Sequence, residues 1–376
     1  MKNILLSSAA IVAFAGAAAA DSHMGVTFSG TAELGYNDDD NPGFTGDNNQ
    51  GFYSELEITI GLAAELDNGL TAAASIDFAD LGDGSANNFF DGVENEYELS
   101  LTSETSGLYY GDTQFAAERM WVAAGDMEQD SFSEADGEEA LRGELTYGMV
   151  EAQMSYVLAN NDGTRVTDDL DQLSLGVSAD FGNFNVVAAY QEETDEAPFF
   201  YDGTLPGEGD NGDFNRSEIF GVSVGTAFAG ADVRLAYVTN ETIDENSTGI
   251  SVTYPFGPVT GTVYYVDESN GDANYGVTLA YVNGPIAVEL DYDNDQGTNK
   301  TGLEGSYDVG NGLTVYAGYL TEDSTDDRYY VAGTYDLGSG AELLVSYAED
   351  DSNVDEDEIG ANEYQRGTTV QVTFEF

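Results

Sequence analysis

The sequence predicts an all-β fold: a closed, antiparallel, membrane-spanning β-barrel. Three observations carry this expectation. Segments alternate apolar and polar residues with a period of two. Their connectors alternate between tight turns and long acidic loops. Aromatic residues gather at the segment ends.

The alternation comes first. Leu56, Ile58, Ile60 and Leu62 interleave with Glu55, Glu57, Thr59 and Gly61, and Leu173, Leu175 and Val177 with Gln172, Ser174 and Gly176. Ile286, Val288 and Leu290 interleave with Ala287 and Glu289, and Val370, Val372 and Phe374 with Gln371, Thr373 and Glu375. Successive side chains of a strand point to opposite faces, so each segment has one oily and one wet face. No helical stripe stands out after the leader.

The connectors follow. Tight turns rich in Gly and Asn stand at 67–69, 105–107, 148–149, 182–183, 229–230, 257–258, 283–285, 310–312 and 338–340. Gly and Asn supply the positive φ of hairpin turns. The other connectors, such as DDDNPGFTGDNNQ and EDDSNVDEDEIGAN, are long and acidic. Short turns on one rim and long loops on the other are the layout of an outer-membrane barrel.

Cutting the chain at these connectors gives 20 strands, near 25–36, 54–66, 70–79, 94–103, 107–112, 140–148, 149–159, 171–181, 183–192 and 217–228. The remainder fall near 231–240, 249–256, 258–266, 274–282, 285–293, 302–309, 313–321, 328–337, 341–348 and 364–376. An even count returns both ends to one rim, where the last strand pairs with the first, near Val26 and Phe28. Phe374 and Phe376 then face outward at the closure.

Aromatics fix the depth. Tyr36, Phe78, Tyr110, Tyr156, Tyr190, Tyr237, Tyr265, Tyr292, Tyr319 and Tyr347 stand at the long-loop side, Phe181, Phe228, Phe256 and Phe376 at the short-turn side. Two such rows are interfacial girdles. A soluble β-sandwich would also alternate, but leaves these rows unexplained.

Charge narrows the function. The chain of 376 residues carries 71 acidic against 9 basic side chains, a net charge of −62, which excludes a nucleic-acid binder. There is no cysteine, so thiol catalysis, disulfides and thiolate metal sites are excluded. His23 is the one histidine, so an outer-membrane hydrolase would lack its usual base, and no enzyme is expected. Residues 1–20 read as a signal peptide, with Lys2, an apolar run from Ile4 to Phe14, and Ala18 and Ala20 at the cleavage site. Residues 21–376 form the barrel domain.

One connector departs from the pattern. After the fifth strand comes DTQFAAERMWVAAGDMEQDSFSEADGEEA, which carries Phe115, Met120, Trp121, Val122, Met127 and Phe132. Either it folds back into the lumen or it covers the mouth. Its apolar content favours the inward fold.

The signal peptide, VTFSGTAELGY at 26–36, LYYGDTQFAAERMW at 108–121 and the closing VTFEF at 372–376 resemble the alphaproteobacterial general porins. The resemblance implies a trimer of barrels with about 16 to 18 strands, set among lipopolysaccharide and passing small hydrophilic solutes. It implies that the long loop lies inside the barrel and carries acids, while the wall carries arginines. It also implies that the terminal Phe376 is read by the assembly machinery. Onto this chain it places Asp112, Glu118, Arg119, Trp121, Asp126, Glu128 and Asp130 in a constriction loop. Parity sets Arg142, Glu144, Arg234 and Arg328 on the facing wall, where arginine opposite acid would create a transverse field.

Glu55, Glu57, Asp77, Glu98, Asp180, Glu289, Asp291 and Glu304 share the inward parity, so a cation-preferring pore is expected. Asp291, Asp293 and Asp295 lack the Gly that an EF-hand loop requires after them, so divalent cations such as calcium or magnesium are expected to bind the acidic loops only diffusely. No cofactor is expected. Inward Tyr109, Tyr264, Tyr316 and Tyr330 keep open a substrate-specific channel, for example for sugars.

Overall fold

The structure, a computed structural model, describes residues 24–38, 51–78, 95–134, 139–158, 170–194, 214–324, 327–349 and 364–376. The expected signal peptide at 1–20, His23 and most of the long acidic connectors lie outside these.

The first half of the chain forms β1 (Met24–Asp38), β2 (Gly51–Glu65), β3 (Thr71–Phe78), β4 (Asn95–Thr102), β5 (Ser106–Asp112), α1 (Ala116–Met120), β6 (Glu139–Tyr147), β7 (Val150–Leu158), β8 (Leu170–Asp180), β9 (Phe184–Gln191) and β10 (Ile219–Phe228). The second half forms β11 (Ala231–Asn240), β12 (Glu245–Phe256), β13 (Val259–Glu268), β14 (Asn274–Asn283), β15 (Ile286–Asp295), β16 (Thr298–Gly310), β17 (Leu313–Glu322), β18 (Arg328–Gly338), β19 (Ala341–Glu349) and β20 (Gly367–Glu375).

All the strands belong to one 20-stranded sheet in which sequential neighbours pair antiparallel and β20 pairs with β1. The barrel is closed at 20 strands, as the segmentation expects, and not at the smaller number the family resemblance implied. Each tight turn visible in the sequence is a hairpin. At Ala229 and Gly230 both turn residues have positive φ, 54° and 87°, which is the backbone twist a two-residue hairpin needs.

Two expectations are corrected. The sequence shows no helical stripe, yet α1 is a single helical turn; five residues are too few to display a period. The closing register also differs. β20 pairs with Thr31–Asp38, and the Phe376 N–H donates to the Gly30 carbonyl at 3.0 Å, so the last strand stops short of Val26 and Phe28. Residues 24–29 pair with β2 alone at the short-turn rim. Closing a barrel requires tilted, staggered strands, and the stagger appears as this overhang.

The two faces divide as the alternation requires. Val26, Phe28, Leu145, Val177, Leu235, Val263, Val331 and Val370 stand exposed on the outer face. A continuous apolar band of this extent exceeds the few hundred Å² found on soluble monomers, and hydrocarbon is the solvent that matches it. Aromatic pairs mark its edges. Tyr36 and Phe52 meet edge to face at 5.0 Å near the long-loop rim, and Phe181 and Phe184 stack at 4.8 Å at the short-turn rim. Among the described residues no helix is long and apolar enough to cross a membrane. The strands do the crossing, and β3, β9 and β10, of 8 to 10 residues, have about the length required.

Candidate functional site

Residues 113–134 pack on the inward face of the wall, opposite the apolar band. The seat begins at α1. A helix start leaves N–H groups without intrahelical partners, and Phe115 at the cap position has no side chain to offer them. The wall satisfies them instead. Ala116 N–H donates to Ser155 Oγ of β7 at 2.9 Å, and Ala117 N–H to Ser174 Oγ of β8 at 2.8 Å.

The segment then crosses the neighbouring strands. A Cβ on Gly221 of β10 would collide with the Trp121 ring, and one on Gly249 of β12 with the Ala124 carbonyl, so an aromatic ring lies directly against the first position and backbone against the second. Further on, Gln129 N–H donates to Ser247 Oγ at 3.1 Å and Glu128 N–H to Glu268 Oε1 at 3.1 Å. The Asn274 amide donates to the Asp126 carbonyl and to Glu128 Oε1. On the return, Ser133 N–H donates to Gln191 Oε1 at 2.7 Å. Beneath these bonds Ala117, Ala124, Met127 and Phe132 form a buried cluster with Ile219, Val238 and Val266 of the wall. Burying side chains the size of Met127 and Phe132 contributes about 1.5–3 kcal/mol each.

Arg142 holds the base of the segment. Its guanidinium donates to Thr113 Oγ1 from Nε and Nη2, to Glu144 Oε2 at 3.1 Å and to Gln153 Oε1 at 3.3 Å, and it is 3% exposed. Arg142 and Glu144 therefore lie against the segment and form a closed pair beneath it. Asp112 ends β5, where it pairs in register with Glu139. Arg119 is exposed and donates to Gln114 Oε1.

The acids of the segment sit in contrasting surroundings. Burial, reinforced by the Glu134 carboxylate, pushes Glu118 up to about 7 against the opposing influence of Arg119 and Arg142. Burial pushes Asp130 up to about 6, although the Trp121 indole N–H donates to its Oδ2 at 2.9 Å. Burial also raises Asp126, with the Asp295 carboxylate adding to it. Asp126 and Glu128 converge with Asp295 of β15, their carboxylate oxygens within 4.8 Å of one another, a spacing that could hold a divalent cation. The segment's acids thus face wall acids here, and not arginines.

The other expected residues lie apart. Arg328 is buried at the start of β18 and pairs with Glu322 Oε2 at 2.8 Å. Arg234 of β11 donates to Ser223 Oγ at 3.0 Å. The inward tyrosines form no continuous track. Tyr109 lies under Arg142, Tyr264 packs at Gly125 and hydrogen-bonds Asp293, and Tyr330 is buried against Tyr364 with Tyr316 beside it.

Sequence reasoning did not single out the anchoring residues Ser155, Ser174, Gln191, Ser247, Glu268 and Asn274. Their polar, inward parity fits a wetted lumen equally well. The available signal was the small residues Gly176, Gly221 and Gly249 at inward positions, which leave room for a second layer of chain.

A family model described as Gram-negative porin matches residues 7–357. No curated protein matches. Two engineered variants of the Rhodopseudomonas blastica porin are similar in structure over 94% of this chain and 100% of theirs, one at 16% identity with a TM-score of 0.41 and one at 15% identity with a TM-score of 0.42.

Proposed function

The chain belongs to the Gram-negative porin family, and from that premise we propose that this outer-membrane channel passes small hydrophilic solutes and ions by passive diffusion and prefers cations. With 20 strands about 4.8 Å apart and tilted near 40°, the backbone ring is about 40 Å across, too wide to discriminate between small ions. In this reading residues 113–134 narrow it to a selective passage.

The observation that carries the cation preference is the sign of charge along that passage. Asp126 and Glu128 stand against Asp295, and Asp291 and Asp293 continue the inward face of β15. Meanwhile Arg142 and Arg328 are each taken up by a glutamate. Close-set carboxylates concentrate cations and repel anions. Reversal potentials across a bilayer under a potassium chloride gradient test the proposal: cation preference that fades as salt shortens the Debye length to about 3 Å at 1 M is expected, and anion preference would overturn it.

Family and fold are those of a channel rather than an enzyme. A homotrimer among lipopolysaccharide, with divalent cations held diffusely at the acidic loops, is the setting that family membership supports. Conductance steps arriving in threes would test the trimer.

A further inference from the structure

One inner-wall cavity lies apart from the acids just described. It occupies about 410 Å³ on β8 to β12, one inward row from the Ala124 contact at Gly249 and toward the short-turn mouth. Asp180, Asn185, Gly225, Arg234 and Ser251 follow one another across adjacent strands in a single transverse row, and Asp232 lies two residues along β11 on the same face. Gly225 makes room for the two polar side chains at the centre: a Cβ there would strike Asn185 Oδ1 and Arg234 Nη2, which converge on that space.

Arg234 differs from the other two wall arginines. Among the described residues it makes no ion pair, and its one hydrogen bond, to Ser223 Oγ, leaves most of its five donors unused. A guanidinium fork beside an amide and a hydroxyl is suited to a carboxylate. Yet the lumen is strongly acidic, and Asp180 and Asp232 border the cavity, so a simple anion is repelled from it. A solute that carries its own ammonium group escapes that repulsion. Residues two apart on a strand are about 6.8 Å apart, close to the span between the two charges of an extended ω-amino acid such as 4-aminobutyrate.

We propose that this cavity is a binding subsite for zwitterionic, amino-acid-like solutes, with Arg234 holding the carboxylate and Asp232 the ammonium. It rests on the channel reading and names a solute class within it. A solute leaving the passage beside residues 113–134 meets this row next, so the site would slow and select zwitterions at the inner mouth.

The test uses the full-length protein in planar bilayers. Single-channel potassium currents are recorded while 4-aminobutyrate is raised on one side, with 4-hydroxybutyramide as neutral control and butyrate as anionic control. A saturable effect of 4-aminobutyrate alone is expected. Arg234→Gln and Asp232→Asn should each weaken it at least about tenfold, and Asp232→Asn should in addition admit butyrate. Arg234→Lys, which keeps the charge but loses the fork, should fall between. Circular dichroism verifies the β-sheet content of each variant, and Arg234→Lys replaces any variant that does not fold. A current that responds linearly to 4-aminobutyrate, or saturation unchanged in the variants, would overturn the subsite while leaving the channel intact. Absence of any potassium current would overturn both.

Discussion

The Arg142 guanidinium carbon lies 4.1 Å above the centroid of the Tyr109 ring. The Tyr109 hydroxyl in turn donates to Glu144 Oε1 at 2.7 Å, and Glu144 accepts from Arg142. The three side chains close a ring of contacts, and Arg142 donates beyond it to Thr113 and Gln153. A wall cation is thereby spent on fastening the inward segment.

Removing that cation should loosen the segment. Arg142→Ala strands the Thr113 and Gln153 acceptors and leaves the Glu144 charge beside Tyr109. The expected loss is about 2–3 kcal/mol of unfolding free energy in detergent, read from the urea or heat midpoint, with partial recovery in Arg142→Lys.

The start of α1 offers a smaller, local lesion. Ser155→Ala and Ser174→Ala each leave one helix N–H without its acceptor, at about 1–2 kcal/mol apiece. Faster proteolysis within residues 113–134, with the wall intact, is the expected readout. Unchanged cleavage in the double variant would mean that the apolar cluster alone holds the segment.

Gly221→Val tests the passage directly. Valine suits a strand, so the wall should tolerate it, but its side chain occupies the space of the Trp121 ring. Displacing Trp121 should raise single-channel conductance and weaken cation preference. Conductance equal to that of the parent channel would contradict the seating described.

Acid should change both selectivity and seating. Glu118 near 7 and Asp130 near 6 are carboxyls raised in the folded state. Such groups favour the seated segment fully below their unfolded values, and that contribution is lost as pH rises through the folded ones. Lowering pH from 8 to 5 should therefore protonate both, reduce cation preference, and slow proteolysis of the segment. Glu118→Gln and Asp130→Asn together should remove most of this dependence between pH 5 and 8.

The strands were legible because lipid outside and water inside impose the same period on each, so Leu173, Leu175 and Val177 announce their face without reference to anything distant. The inward segment was legible in kind, through Trp121 and Phe132, which no wetted loop needs. Its anchors were not. Ser155 and Ser174 become helix caps only once α1 is laid over them, and Glu268 meets Glu128 across 140 residues of chain. The neutralisation of Arg328 by Glu322 was hidden because parity gives a face and not a partner. A one-turn helix is likewise too short for any periodic signal.

The closing seam has a kinetic consequence. Every other pairing joins strands adjacent in the chain, whereas Asn37 and Thr369, bonded at 2.9 Å, lie 332 residues apart. Hairpins can therefore accumulate one beside another as an unrolled scroll, but the scroll has two raw edges until its final strand arrives. The slow event in assembly is then the meeting of those edges, and the same seam is where a pulled or heated barrel would first unroll.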